Sequence, residues 1–399
     1  MDTDNTSEIE IDWHFILLIV IIAFIVRLLY VFTLEPDQFY FDDSLQWNQI
    51  ALNFMAGKGL IVSPDAMAIR MPLYPLFLSG IYYLFGPGNL LAVRIVQAGL
   101  SALTCLIIYL IAVSVFSADK NAERIGKISA LISTFYPFFV YYSGAILNET
   151  LFIFLLSLIM WFLVRGRFLW SAIFLGFAVL CRAEISAYFI FIIIGLFLLF
   201  SRVEALRASF IMFLLLCVVL SPWVARNYLI FNRFVPLSTM GGYTFYEGNA
   251  PENPTGGPFG GKFFLKVPPG LNEVEIDKYY RKETIRVIGE NPKRFLGLCW
   301  SKFRRYWNVK LNTDDSRYAS TRNNLISIFS FGPVLLLFIS GLILSFWNRR
   351  NLIFIYFLIL YNMLTNLIFV SSLRYRLPIE PYLIIFASYS LNTVFKGKK

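Results

Sequence analysis

Runs of about twenty apolar residues recur along this chain, and that is the length a helix needs to cross the hydrocarbon core of a bilayer. Spans are predicted near 15–34, 90–116, 128–147, 150–164, 168–181, 185–200, 208–230, 325–346, 351–370 and 378–395. The fold class is therefore an all-α polytopic membrane protein with about ten transmembrane helices. Composition agrees: 15% of the residues are charged, where a soluble domain carries roughly a quarter. The first run is too long for a signal-peptide core and no small-residue cleavage pattern follows it, so it reads as a retained span.

The segment 72–86 is apolar but short. It carries Pro72 and Pro75, ends in Gly86-Pro87-Gly88, and reads as a helix in the interface. Charge supports this reading, because short cytoplasmic loops collect Lys and Arg. If 72–86 does not cross, one side holds Lys120, Arg124 and Lys127, then Arg165 and Arg167, Arg202 and Arg207, Arg349 and Arg350, and Lys396, Lys398 and Lys399. Both termini are then cytoplasmic. Two large extracytoplasmic loops face the other side, near 35–89 and 231–324. The second begins with Gly241-Gly242, Gly248-Asn249-Ala250-Pro251 and Gly256-Gly257-Pro258. An amphipathic helical stretch from about 273 to 307 follows, interrupted at Asn291-Pro292.

Several function classes drop out. The net charge of +10 is spread over short loops and one long loop instead of one basic face, so nucleic acid is not a partner. The four cysteines show no paired spacing for a disulfide framework or a zinc site. The single histidine, His14, precedes the first span, which excludes histidine catalysis and multi-histidine metal sites. Acid–base chemistry must fall to carboxylates.

Two acidic features stand at outer span ends. Asp42 and Asp43 follow the first span. A carboxylate there can deprotonate an acceptor hydroxyl, bind a divalent cation, or simply solvate the span end. Glu149 lies between two apolar runs, where a carboxylate is costly unless it faces water or a partner, though an acid at a helix start is also favoured by the helix dipole. Five arginines stand on the same side: Arg70, Arg182, Arg226, Arg374 and Arg376. Snorkelling to headgroups explains one or two of them. Five point to an anionic ligand, since guanidinium grips phosphate in a bidentate fork. A phosphate at the interface suggests a polyprenyl phosphate with its tail in lipid.

These motifs resemble glycosyltransferase family 39 of the GT-C superfamily, which includes protein O-mannosyltransferases and aminoarabinose transferases. The resemblance rests on Asp43, Trp47, Ala51, Gly57 and Gly59, then Arg70-Met71-Pro72-Leu73-Tyr74-Pro75, then Ser143-Gly144-Ala145-Ile146-Leu147-Asn148-Glu149. Ser221-Pro222-Trp223-Val224-Ala225-Arg226-Asn227-Tyr228 and Arg374-Tyr375-Arg376-Leu377-Pro378 look similar to bacterial members. It implies a GT-C fold, Asp43 as catalytic base, Glu149 as a second active-site acid, and Arg70, Arg374 and Arg376 as donor-phosphate ligands. The family's common Asp-Glu pair is here Asp42-Asp43-Ser44, which keeps Asp42 a candidate beside Asp43. The chain is shorter than the aminoarabinose and mannosyl transferases and is expected to lack their appended soluble domain.

The expected function is an inverting transfer of sugar from a polyprenyl-phosphate donor to a protein, lipid or glycan acceptor, outside the cytoplasm of a multi-pass cell-membrane protein. The resemblance implies no obligatory metal, although the aspartate pair could take a divalent cation. The alternative is a transporter or flippase of lipid-linked sugars, whose acids should lie nearer the membrane midplane. A third is a non-catalytic membrane partner of glycan enzymes. Residues 1–230 are expected to form the catalytic transmembrane module, 231–324 the long outer loop, and 325–399 the C-terminal helices.

Overall fold

The structure is a computed structural model that describes residues 12–258, 264–311, 320–346 and 350–396. Arg349, Lys398 and Lys399, counted above for orientation, lie outside the described residues. Among the described residues the regular elements are all helical. In chain order they are α1 (Trp13–Val31), α2 (Asp42–Met55), α3 (Leu73–Phe85), α4 (Leu90–Val115), α5 (Ala122–Phe135), α6 (Pro137–Gly144), α7 (Glu149–Val164), α8 (Phe168–Cys181), α9 (Tyr188–Leu199), α10 (Arg202–Phe231), α11 (Gly241–Glu247), α12 (Glu273–Glu290), α13 (Pro292–Tyr306), α14 (Thr321–Phe346), α15 (Ile353–Ile368), α16 (Leu373–Arg376) and α17 (Glu380–Lys396). A 3₁₀ turn, Ala183–Ala187, joins α8 to α9.

Each expected apolar run contains helix, but four helices are long and apolar enough to cross a membrane by length and composition: α1, α4, α10 and α14. α7, α8, α15 and the 3₁₀ turn with α9 are shorter apolar helices, as is α3. At 13 residues, α3 is about 20 Å long and falls short of a hydrocarbon core of about 30 Å.

The bundle packs around α17 and α4. Leu377, Ile379 and every residue from Tyr382 to Ala387 are fully buried. α1, α10 and α14 instead leave most of their apolar surface outward, as expected of helices that face lipid. A largely apolar run serves both places, so hydropathy alone does not distinguish the central helix from the rim.

The expected span 128–147 is two helices. Pro137 has no N–H to donate to the Ser133 carbonyl, so α5 stops at Phe135 and α6 starts at Pro137. The break frees carbonyls inside the bundle, and buried carbonyls need donors. Arg27 of α1 supplies them, reaching the Thr134 oxygen at 3.1 Å and the Ser133 oxygen at 3.2 Å. Its Nε also donates to Ser101 of α4 at 2.7 Å. One cation in an apolar helix thus closes the gap that a proline opens in a neighbour. α6 then ends against the end of α1: a Cβ on Gly144 would sit 2.6 Å from Leu34 and 2.9 Å from Tyr30, so a larger residue there requires those side chains to move.

The long loop is more structured than its Gly-, Pro- and Asn-rich opening suggests. Gly241-Gly242 begins α11, and the Gly242 N–H donates to Asp277 of α12 at 2.5 Å. The amphipathic stretch is α12 and α13, and it breaks at Asn291 as predicted, with Asn291 accepting from the Arg294 N–H and Pro292 opening α13. One helix that hydropathy does not announce is α2, which buries Trp47, Ile50 and Ala51 on one face and leaves Leu45 and Gln49 outward.

Arg27→Met is expected to leave the Ser133 and Thr134 carbonyls without donors and to cost about 2 kcal/mol or more. Thermal unfolding in detergent should show a lower midpoint than for Leu29→Met, a change on the exposed side of the same helix.

Candidate active site

The site lies at the end of the bundle where α1, α6, α8, α10 and α15 finish and α2, α4, α7 and α17 begin. Two polar residues on the first turns of α4 organise it. Arg94 donates to the carbonyls of Glu35 at 2.7 Å, Pro36 at 2.9 Å, Gln38 at 2.6 Å and Gly144 at 3.1 Å. Gln97, one turn on, donates to the carbonyls of Ser143 and Ala145 and accepts from the Tyr74 hydroxyl. The segment leading into α2 and the turn leading into α7 are therefore tied to the same buried pair, which brings Asp43 and Glu149 together.

Asp43 lies in the first turn of α2, and the residues after it on the same face complete a grip on Arg70. Arg70 Nη2 donates to Asp43 Oδ1 at 2.5 Å, Arg70 Nε donates to Gln46 at 2.9 Å, and the guanidinium lies 5.1 Å from the Trp47 ring. The spacing i, i+3, i+4 is what places these three groups side by side. The other oxygen of Asp43 accepts from Arg374 Nη1 at 2.8 Å. Arg374 Nε donates to Glu149 Oε1, and the guanidinium lies 5.8 Å from the Phe41 ring. Glu149 Oε1 also accepts from Arg182 Nη1 at 3.3 Å, and Arg182 Nη2 pairs with Glu184 at 3.0 Å. Charges thus alternate along one chain: Arg70, Asp43, Arg374, Glu149, Arg182, Glu184.

Local structure explains each placement. Asn148 donates to the Cys181 carbonyl at 3.1 Å, holding the start of α7 against the end of α8, so Glu149 and Arg182 meet. Arg182 itself lies over the Phe152 and Tyr375 rings, at 5.3 and 5.5 Å. Ser372 caps α16 by accepting from the Arg374 N–H. The strand of chain before it is fixed by α13: Arg305 donates to the Ser371 carbonyl at 2.9 Å, and the Ser371 hydroxyl donates to the Lys302 carbonyl at 2.9 Å. Lys302, buried, spans Asn249 at 3.0 Å and the Ile368 carbonyl at 3.3 Å, and burial brings its ammonium down to about 8.

The electrostatics follow from the geometry. Burial pulls the Asp43 carboxyl up, but Arg374 and Arg70, one on each oxygen, outweigh it and hold it well below the ordinary carboxylate range. Burial pushes the Tyr375 hydroxyl up to about 12, with Arg374 and Arg182 opposing. Glu149 is fully buried, and its Oε2 has no hydrogen-bond partner among the described residues. Arg70 and Arg374 each engage two of their three guanidinium nitrogens, so one terminal nitrogen on each has no hydrogen-bond partner among the described residues. These donors flank Asp43 from both sides, a place where an anion can be gripped. Among the described residues no three of His, Cys, Asp and Glu come together in a way that could hold a metal ion.

Of the residues singled out in the sequence, the structure gathers Asp43, Glu149, Arg70, Arg182 and Arg374. Asp42 is exposed, and the guanidiniums converge on its neighbour. Two arginines are elsewhere. Arg376 is fully buried, paired with Glu380 at 2.8 Å and donating to the carbonyls of Tyr306 and Asn308, so it ties α16 to α17 and to the end of α13, apart from the Asp43–Glu149 cluster. The spacing Arg376-x-x-x-Glu380 is a readable sign of such a pair. Arg226 donates to the Leu60 carbonyl at 3.0 Å and to Asn227, anchoring the first loop to the end of α10. The reading of the sequence missed Glu184, Gln46 and Tyr375. Glu184 could have been found by the argument used for Glu149, a carboxylate at the edge of an apolar run. The site also straddles the expected modules, since Arg374 comes from 325–399 while its carboxylate partners come from 1–230.

Comparison with known proteins agrees with this architecture. Residues 69–225, well under half of the chain, match the family described as dolichyl-phosphate-mannose-protein mannosyltransferase. That stretch includes Arg70, Glu149 and Arg182. No curated protein sequence matches the chain significantly. Among solved structures, ArnT from Cupriavidus metallidurans in the apo state is similar with a TM-score of 0.57 at 16% identity, over 96% of this chain and 61% of that one. ArnT bound to undecaprenyl phosphate gives 0.51 at 15%, over 96% and 60%. The archaeal oligosaccharyltransferase AglB from Archaeoglobus fulgidus, in complex with an inhibitory peptide and a dolichol-phosphate, gives 0.59 at 12%, over 97% and 51%. The chain therefore spans about three-fifths of ArnT and half of AglB. At these identities the likeness establishes a fold shared with ArnT and AglB.

Because the Asp43 carboxyl is depressed in the folded state, its ion pairs stabilise fully above its unfolded value and are lost only as pH falls through the folded one. Asp43→Asn should accordingly cost the same stability at pH 7 and at pH 5, measured by thermal unfolding at both.

Proposed function

We propose that this chain is an inverting glycosyltransferase. It moves a sugar from a polyprenyl-phosphate donor to an acceptor hydroxyl, of a protein, lipid or glycan, at the extracytoplasmic surface of the cell membrane. The observation that carries this reading is Asp43 held between Arg70 and Arg374 at the end of an apolar GT-C bundle. The match to a mannosyltransferase family over 69–225, and ArnT and AglB structures bound to undecaprenyl phosphate and dolichol-phosphate, support a lipid-phosphate donor.

The chemistry follows from the ion pairs. The donor phosphate enters laterally, its tail remaining in lipid, and takes the unpartnered terminal N–H groups of Arg70 and Arg374. Phosphate oxygens then compete with Asp43 for the two guanidiniums. Each guanidinium drawn away raises the affinity of Asp43 for a proton. The carboxylate is a weak base while doubly paired and a stronger one once the donor is bound. Asp43 takes the acceptor proton as the acceptor oxygen bonds to the anomeric carbon, and the bond from that carbon to the phosphate oxygen breaks. The polyprenyl phosphate leaves with the electron pair, and its added negative charge falls on the arginines already in place. Attack opposite the leaving group inverts the configuration. Glu149 acts behind this step: it holds Arg374 and Arg182 in line from its buried position.

The orientation is read from charge. Lys120, Arg124 and Lys127, Arg165 and Arg167, and Arg202 and Arg207 all lie at the opposite end of the bundle from the site. With those short basic loops cytoplasmic, Asp43 and the long loop are outside and both termini inside. Residues 1–230 with α16 then make the catalytic module, and 231–324 borders the acceptor side. The position of the acids at helix ends, not midway along them, favours an interfacial enzyme over a translocator of lipid-linked sugars.

Purified protein in lipid, given labelled polyprenyl-phosphate sugars with cell-envelope acceptors, should release or transfer sugar, and Asp43→Asn should lower the rate by about two to four orders of magnitude. Equal turnover by the two proteins would overturn the assignment of the base. Since guanidiniums supply the positive charge in this scheme, a divalent cation is not obligatory, and wild-type activity should survive EDTA; abolition restored by a cation would place a metal at the acidic cluster.

A further inference from the structure

Arg70 is held at its guanidinium by Asp43, Gln46 and Trp47, all on α2. Its backbone is held from a different part of the chain. Glu273 is the first residue of α12, in the long loop, where Asn272 and Glu275 form a capping box that starts the helix. The Glu273 carboxylate accepts from the Met67 N–H at 2.6 Å and from the Ala68 N–H at 2.9 Å. It also accepts from the Thr239 hydroxyl. In return the Thr239 N–H donates to the Ala68 carbonyl at 3.0 Å. Both backbone polar groups of Ala68, a buried residue, are therefore taken by the long loop, two positions before Arg70.

We propose that Glu273 is a positioning residue for Arg70, fixing the backbone from which Arg70 reaches Asp43 and so linking the long outer loop to the donor-phosphate site. The inference rests on the functional reading above for the phosphate but not for the latch itself. The chemistry of the acceptor matters. Two adjacent N–H groups need two oxygens, and a carboxylate presents both. Glutamine at this position has almost the same shape but replaces one oxygen with a donor, which would face an N–H group. Glu273→Gln thus releases one end of the 67–68 segment without opening a cavity, and a folded protein is expected.

The test uses the full chain in lipid nanodiscs, with polyprenyl phosphate as the probe, in four forms: wild type, Glu273→Gln, Arg70→Ala and the double variant. Glu273→Gln should make the Met67 and Ala68 amides exchange about tenfold faster, and weaken polyprenyl-phosphate binding about tenfold, as expected for loss of a hydrogen bond to a charged group. In the Arg70→Ala background the second substitution should add nothing to the loss of binding, because the residue through which it acts is gone. A merely structural role would weaken binding equally in both backgrounds, and that result overturns the proposal, as does unchanged exchange at 67–68. If wild type binds no polyprenyl phosphate, the functional reading fails. The latch is then judged by amide exchange and by the rate at which phenylglyoxal modifies Arg70, which should rise in Glu273→Gln and would refute the latch if unchanged.

Discussion

Most of this structure depends on one condition: charge carried to the end of an apolar bundle must be paired there. Glu149 is fully buried, and it opens a helix whose next fifteen residues are almost all apolar. Such a carboxylate is tolerated because Arg374 and Arg182 both reach it. Arg374 is tolerated in turn because it has Asp43 on its other side. Removing any member leaves a buried charge without its counterpart, which costs more than the pair contributes. The helices at this end are consequently held in mutual register by electrostatics as well as by packing.

The same logic operates with backbone in place of carboxylate. Arg27 and Arg94 lie fully buried and donate to seven main-chain carbonyls, six of them outside the donors' own helices. Arg27 repairs the carbonyls exposed by Pro137, and Arg94 draws together the approach to α2 and the approach to α7. A guanidinium has five N–H groups in a fixed plane, and so it can serve several irregular segments at once. The irregular backbone that shapes the site is thus allowed inside an apolar bundle because arginines satisfy it, in keeping with the rule that membranes forbid unsatisfied backbone.

How much of this was legible in the sequence follows from what each signal costs. The apolar runs had to be visible, since a bilayer tolerates nothing else, and each contains helix. Their individual roles were not, because α17 at the centre and α14 at the rim are both largely apolar runs interrupted by a few polar residues. Asp43 and Glu149 were visible because acids at span edges are expensive. Gln46 carries no such cost and passed unnoticed, although it follows Asp43 at helical spacing, and Glu184, an acid at a span edge like Glu149, was overlooked despite the same signal. Arg374 and Arg376 stand two residues apart in the same short motif, and the sequence gives them equal weight. The structure separates them entirely, because a two-residue step on a tight helix turns one towards Asp43 and the other towards Glu380. The single-helix reading of 128–147 failed at Pro137, where hydropathy runs on but the hydrogen-bond ladder cannot.

The distance along the chain between the paired groups has a consequence for biosynthesis. Asp43 and Arg374 are 331 residues apart. At about 5–20 residues per second, Asp43 emerges from the ribosome tens of seconds before its second guanidinium exists. Through that interval the acid is present but its second ion-pair partner is not. The site assembles only when the C-terminal helices join the bundle. A chain half-inserted, or cut before Arg374, would then carry Asp43 with only one of its two guanidinium partners.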